Sequence, residues 1–186
     1  MSYFFDTFLQ VLLLALPLLA LYWLITILHR RQSGQRINWL RLVLTTVLYV
    51  DVFYILWNTV SLEILFHPLT FVGNINLVPF IGIYKMVKAI IQSENIWSII
   101  NLFGNIFLFT PLGLLAALLY PKMRRFWKTL LLGFAFSLLI ETWQLFLPRS
   151  FDVDDLILNI FGTAIGYLLF MLVRRLLPKL TLEINR

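Results

Sequence analysis

Apolar residues along this chain come in five stretches, set apart by short polar connections. The first runs from about Phe4 to Leu28, the second from about Asn38 to Leu62 and the third from about Ile96 to Tyr120. The fourth covers about Thr129 to Leu147 and the fifth about Val153 to Val173. Each is close to or longer than the roughly 20 residues that a helix needs to cross hydrocarbon. The pattern predicts an all-α fold, a polytopic transmembrane helix bundle of about five spans, formed as a single domain over residues 1–186. Between spans two and three, "FIGIYKMVKAIIQ" sets Phe80, Ile83, Tyr84, Val87, Ile90 and Ile91 on one helical face. Lys85, Lys88 and Gln92 fall on another. This predicts a short helix lying in the membrane interface, with its lysines at headgroup level. A re-entrant or packed external helix fits the same pattern.

Polar residues inside and beside these spans fall at helical spacing. In span two, Asp51, Tyr54, Asn58 and Ser61 recur at i, i+3, i+7 and i+10. Asn101 and Asn105 stand one turn apart in span three, and Glu141 and Gln144 share a face of span four. On a wheel of span five, Asp152, Asp155, Asn159, Gly162 and Gly166 occupy one sector, while Asp154 points elsewhere. That sector is polar at its start and small further along. "GTAIG" is a small-xxx-small pattern that admits a close helix, so Gly162 and Gly166 are expected to meet a helix partner. Four spans thus aim polar faces at one end of the bundle. An unpaired carboxylate at the membrane centre costs about 2.5–3.5 kcal/mol on insertion scales, so Asp51 must face a partner, a cavity or water, or stay protonated.

Composition agrees with a membrane protein: 61% of the 186 residues are hydrophobic and 13% charged, against about a quarter charged in soluble domains. The net charge of +6 does not point to nucleic acid, because the basic residues cluster in short connections. Arg30, Arg31, Arg36 and Arg41 border the first connection, and Lys122, Arg124, Arg125 and Lys128 fill the third. Arg174, Arg175, Lys179 and Arg186 lie in the tail, which leaves Lys85, Lys88 and Arg149 for the opposite side. The positive-inside rule then places the C-terminus in the cytoplasm and the polar end outside. The first span has no basic residue ahead of it and is too long for the apolar part of a cleavable signal, so its retention is expected. With no cysteine, disulfides and cysteine-built metal sites are excluded. His29 and His67 lack a second histidine at ligand spacing, so neither a metal nor a cofactor is expected. There is no phosphate-binding glycine loop and no nucleophile elbow.

Four of the nine acidic residues (Glu141, Asp152, Asp154 and Asp155) lie within fifteen positions. Part of that cluster has a purely structural reading. Asp152 suits an N-cap, with Asp154 and Asp155 in the favourable first helical turn. Pro148 would end span four, and Arg149 could pair with one of these carboxylates. Asn105 and Asn159 could be interhelical hydrogen-bonding residues. Glu141, Asp155 and Asn159 lie deeper and share faces with other polar groups, which favours a site. Pro111 removes the bond to the Phe107 carbonyl and would kink span three.

Taken together, "NLVPF" (Asn76, Pro79, Phe80), "GNIFLFTPLG" (Asn105, Phe109, Pro111, Gly113), "ETWQ" (Glu141, Gln144) and "RSFDVDDLILNIFGTAIG" (Arg149, Asp152, Asp155, Asn159, Gly162, Gly166) resemble the VanZ family of bacterial membrane proteins. Their order and spacing carry the resemblance, which covers about residues 74–170. The resemblance implies a multi-pass protein of the bacterial plasma membrane. It also implies an association with low-level resistance to teicoplanin, a lipid-bearing glycopeptide. It supplies no reaction and no catalytic roles.

The leading expectation is a non-enzymatic binder of an amphiphile: a membrane lipid, a lipid-linked cell-wall precursor or a lipoglycopeptide. Its ligand-binding residues would be Asn105, Glu141, Gln144, Arg149, Asp155 and Asn159, with Arg149 and the interfacial lysines available to a phosphate or carboxylate. A second expectation is an intramembrane hydrolase or transferase with Glu141 and Asp155 as acid and base. A proton-linked transporter using Asp51 and Glu141, and an interaction protein using the Gly162/Gly166 face, are the other two.

Overall fold

The computed structural model describes residues 2–59, 73–92, 96–147 and 150–184. The elements are α1 (Ser2–Gln32), α2 (Trp39–Thr59), β1 (Ile75–Asn76), α3 (Ile81–Ile91) and α4 (Ile96–Leu119). A 3-10 turn at Pro121–Met123 leads into α5 (Phe126–Gln144), β2 (Phe151–Asp152), α6 (Val153–Leu176) and α7 (Pro178–Glu183). Among the described residues, α2, α4, α5 and α6 are long and apolar enough to cross a membrane. α1 adds a 31-residue helix, about 46 Å long at 1.5 Å per residue. The chain is an all-α transmembrane bundle of about five spans.

α4 and α6 form the central pair, and glycine makes their approach possible. A methyl group on Gly162 would run into the Ile106 carbonyl, and one on Gly166 into the Thr110 carbonyl and the Leu114 amide. From the other side, a methyl on Gly113 would strike the Thr163 backbone. Such small-residue contacts let helices pack closely where no hydrophobic force drives them together. The helix that meets Gly162 and Gly166 is therefore α4 of the same chain.

α5 is built inside out. Its buried residues are Thr129, Gly133, Ser137, Ile140, Glu141 and Gln144, most of them polar or small. Leu131, Phe134, Leu138 and Leu139 face outward. In water that arrangement would be unstable; in lipid the apolar face is solvated and the polar face must find protein. Gly133 lies against the Thr163 side chain, whose hydroxyl donates to the Asn159 carbonyl at 2.9 Å.

At one end of the bundle, α7 folds back on the start of α2. Asn38 donates to the Glu183 carbonyl at 2.5 Å and caps α2 by accepting from the Arg41 N–H at 2.9 Å. The Arg41 guanidinium reaches the Ile184 carbonyl at 3.3 Å. Ile184 is buried in a cluster with Leu115, Leu118, Leu119 and Phe170. Tyr167 donates from there to the Arg124 carbonyl at 2.9 Å. The clustered basic residues of the connections lie at this end. α1 attaches through α2, by a 2.7 Å bond from the Trp23 indole to the Thr46 hydroxyl and an edge-on contact of Tyr22 with Tyr49.

The other end carries a two-stranded parallel pairing, Ile75 with Phe151 and Asn76 with Asp152. It joins the connection after α2 to the connection after α5. The expected interfacial helix is present as α3, but its apolar face is divided. Ile83, Met86 and Ile90 are half-buried, whereas Phe80, Tyr84, Val87 and Ile91 are exposed together with Lys85 and Lys88. No residue of α3 is fully buried.

Candidate functional site

Three carboxylates organise the polar end. Asp152 is the N-cap of α6, as its spacing predicts, and accepts from the Asp154 N–H at 2.9 Å. It also accepts from the Asn76 amide at 3.2 Å. Its own N–H donates to Glu141 Oε2 at 3.0 Å, so Glu141 helps hold the strand that starts α6.

Asp154 does something the wheel did not disclose. It is fully buried and caps a different helix. Its Oδ1 accepts from the Phe80 N–H at 2.5 Å, and its Oδ2 accepts from Gly82 and Ile83 at 2.6 and 3.1 Å. α3 has no side-chain cap of its own, and Phe80 enters it at φ 68°. A non-glycine residue held in that left-handed region is strained. The carboxyl group, accepting from three backbone donors, offsets that strain. Gly82 permits the approach, since a methyl group there would sit 2.9 Å from Asp154 Oδ2.

A cavity of about 750 Å³ opens among α2, α4, α5 and α6, within the size range of small-ligand pockets. α2 contributes Asp51, Tyr54 and Asn58 to its wall, and α4 contributes Asn101, Gly104 and Asn105. Glu141 and Gln144 come from α5, Asp155 and Asn159 from α6, and Met86 from α3. Ile55, Phe107, Phe109 and Ile140 supply apolar surface. Asp51 lies about 12 Å along α2 from Thr59, taking 1.5 Å per residue, so the wall stays polar well below the end of the bundle. Where Gly104 lines this space, an added methyl group would touch nothing within 4 Å.

The structure brings Asn105, Glu141, Gln144, Asp155 and Asn159 to this wall. Asn105 donates to Asp155 Oδ1 at 2.7 Å, and Asn159 donates to the Ser137 hydroxyl at 2.9 Å. Both asparagines thus bond between helices and line the cavity as well. Glu141 is 2% exposed, while Asp155 is half-buried. Arg149, Pro148, Ser61 and His67 lie outside the described residues. α5 ends at Gln144, short of the proline. Lys85 and Lys88 are exposed on α3 and do not line the cavity. No group of three or more His, Asp or Glu suited to a metal occurs among the described residues.

Sequence reasoning missed Ser137, Thr163 and Gly104. A serine or threonine inside an apolar run gives no signal of which neighbour it meets. Gly104 becomes notable only once the space beside it is known.

The lipid-facing apolar rim, the polar interior and the cavity among four spans define a polytopic helical membrane protein with an intramembrane polar site. The VanZ/LLP1 family model matches residues 14–174, and the chain belongs to that family. The match includes α2 and most of α1, beyond the segments that carry the resemblance in the sequence. No curated protein and no solved structure matches the chain.

Proposed function

We propose that this VanZ/LLP1-family protein binds an amphiphile in the outer leaflet of the bacterial plasma membrane. Its basic end, with the C-terminus, would face the cytoplasm. The observation that carries this reading is the cavity itself, with apolar and polar walls together at the end of the bundle away from the basic clusters. An alkyl chain suits Phe107, Phe109 and Ile140, and a polar head suits the Asn105–Asp155 and Glu141 region. Lipid-linked cell-wall precursors and lipoglycopeptides such as teicoplanin are amphiphiles of this kind, which agrees with the family's association.

The test is to express the wild type, Asp155→Asn and Gly104→Phe at matched abundance in a susceptible Gram-positive host. Inhibitory concentrations of teicoplanin and vancomycin are then read. The expected result is a teicoplanin-selective rise of at least twofold that both substitutions abolish. A rise that survives Gly104→Phe, which fills the cavity, would overturn the assignment of this site. No rise with the wild type would remove teicoplanin from the reading.

One observation favours a second reading, that of an enzyme acting on a lipid-linked substrate. Glu141, almost wholly buried, and the half-buried Asp155 share one wall in different surroundings, which suits the two to separate roles as acid and base. Turnover of a lipid pyrophosphate by the purified protein, abolished by Glu141→Gln, would establish it.

A further inference from the structure

We infer that the groove between α1 and α2 binds an anionic phospholipid, its phosphate held by Arg30 and Arg41 and an acyl chain laid past Tyr22. The groove shares no lining residue with the polar cavity, and the inference does not rest on the function proposed for that cavity.

α1 and α2 leave two depressions beside the contact of Tyr22 with Tyr49, whose ring centroids are 5.2 Å apart. One, of about 240 Å³, is lined by Ala15, Leu18, Leu19, Tyr22, Tyr49 and Phe53. These side chains are all aliphatic or aromatic. The other, of about 110 Å³, has Tyr22, Thr26, Arg30, Asn38 and Arg41 in its wall. Tyr22 lines both, so they form one track along the helix pair. From Ala15 to Arg30 the track covers about 22 Å of α1, taking 1.5 Å per residue. It is apolar toward the middle of the bundle and cationic at the basic end.

Four arginines stand at this connection, and two of them line the groove. Arg31 and Arg36 are exposed, whereas Arg30 and Arg41 are half-buried. Arginines that served topology alone would bury their stems and keep their heads in water. Each groove guanidinium spends one of its five donors on a backbone carbonyl, Arg30 on Arg36 at 3.4 Å and Arg41 on Ile184 at 3.3 Å. Neither has an ion pair among the described residues. Glu183, exposed at the same end, does not line the groove.

Two like charges at one small depression repel each other. A phosphate between them removes that repulsion and accepts charge-assisted bonds from both. The charges present in the wall thus set the sign of the ligand. A soluble anion would use only the smaller depression, while a phospholipid occupies both. With the basic end in the cytoplasm, this lipid belongs to the inner leaflet, across the membrane from the cavity.

The experiment is native mass spectrometry of the full chain in mild detergent, titrated with dioleoyl phosphatidylglycerol or dioleoyl phosphatidylcholine. The two lipids share their acyl chains and differ in net charge. Wild type is expected to bind one phosphatidylglycerol saturably, at least tenfold more tightly than phosphatidylcholine. Arg30→Gln and Leu19→Trp, which fills the apolar depression, should each weaken it at least tenfold. Arg31→Gln and Gly104→Phe should change it less than twofold, and millimolar inorganic phosphate should not displace it. Circular dichroism and size exclusion check the fold of each variant, and Arg30 has only one long hydrogen bond to lose. Equal affinity for the two lipids would overturn the assignment of the head. Equal losses with Arg30→Gln and Arg31→Gln would reduce the effect to the general charge of the basic end and overturn the site. Binding that survives Leu19→Trp, or that Gly104→Phe removes, would place the lipid elsewhere and overturn it as well. Displacement by inorganic phosphate would make this a site for the soluble anion and not for a lipid.

Discussion

At position 154 a carboxylate with no exposed surface accepts three backbone N–H groups of another helix. Hydrogen bonds to a charged group contribute about 1.5–3 kcal/mol each, and stranding buried donors costs a similar amount. Asp154→Ala is therefore expected to destabilise the protein by at least about 3 kcal/mol. Asp154→Asn, which turns one acceptor into a donor facing backbone N–H groups, should cost roughly 2 kcal/mol. Thermal unfolding in detergent measures both. Trypsin cleavage at Lys85 and Lys88, faster in the variants, would show that α3 is what comes loose. This role was not legible in the sequence, and the reason is chemical. The donors are backbone amides, which every residue but proline has, and the bonds span more than seventy positions. The N-cap role of Asp152 was legible because that bond is local.

The helices themselves were largely legible, because an apolar run of membrane length admits few structures. The starts of α4 at Ile96 and α6 at Val153 agree with the reading of the pattern. α5 lies three residues earlier than expected, since it takes in Phe126 and Trp127 and stops before the turn that precedes Pro148. α7 and the β1–β2 pairing gave no signal. α7 is only six residues long, and two-residue strands exist through a distant partner and not through local preference. The glycines also differ in ways that composition cannot reveal. Gly113→Ala is expected to cost about 1–3 kcal/mol, because its methyl group would force α4 away from the Thr163 backbone. Gly104→Ala meets open space and should stabilise the helix by up to about 1 kcal/mol. Unfolding midpoints of the two variants in the same detergent compare them directly.

For the molecule as a whole, the sidedness read from the basic clusters has a simple test, because the chain contains no cysteine. Single cysteines at Ser150 and Lys179 are expected to divide cleanly. A membrane-impermeant maleimide should label Ser150→Cys in intact cells and Lys179→Cys only after lysis. The reverse pattern would turn the cavity toward the cytoplasm. That four spans carry polar faces was legible from residue spacing, whereas the shape of the space between them was not, because it depends on how closely glycine lets α4 meet α6. That meeting has a consequence for the order of biosynthesis. Spans α2, α4 and α5 leave the ribosome before α6, yet α6 supplies Asp154 to α3, Asp155 to Asn105 and Asn159 to Ser137. Until α6 arrives, the earlier spans hold unsatisfied polar groups in the bilayer, and such a nascent intermediate is the form that membrane chaperones and proteases would meet.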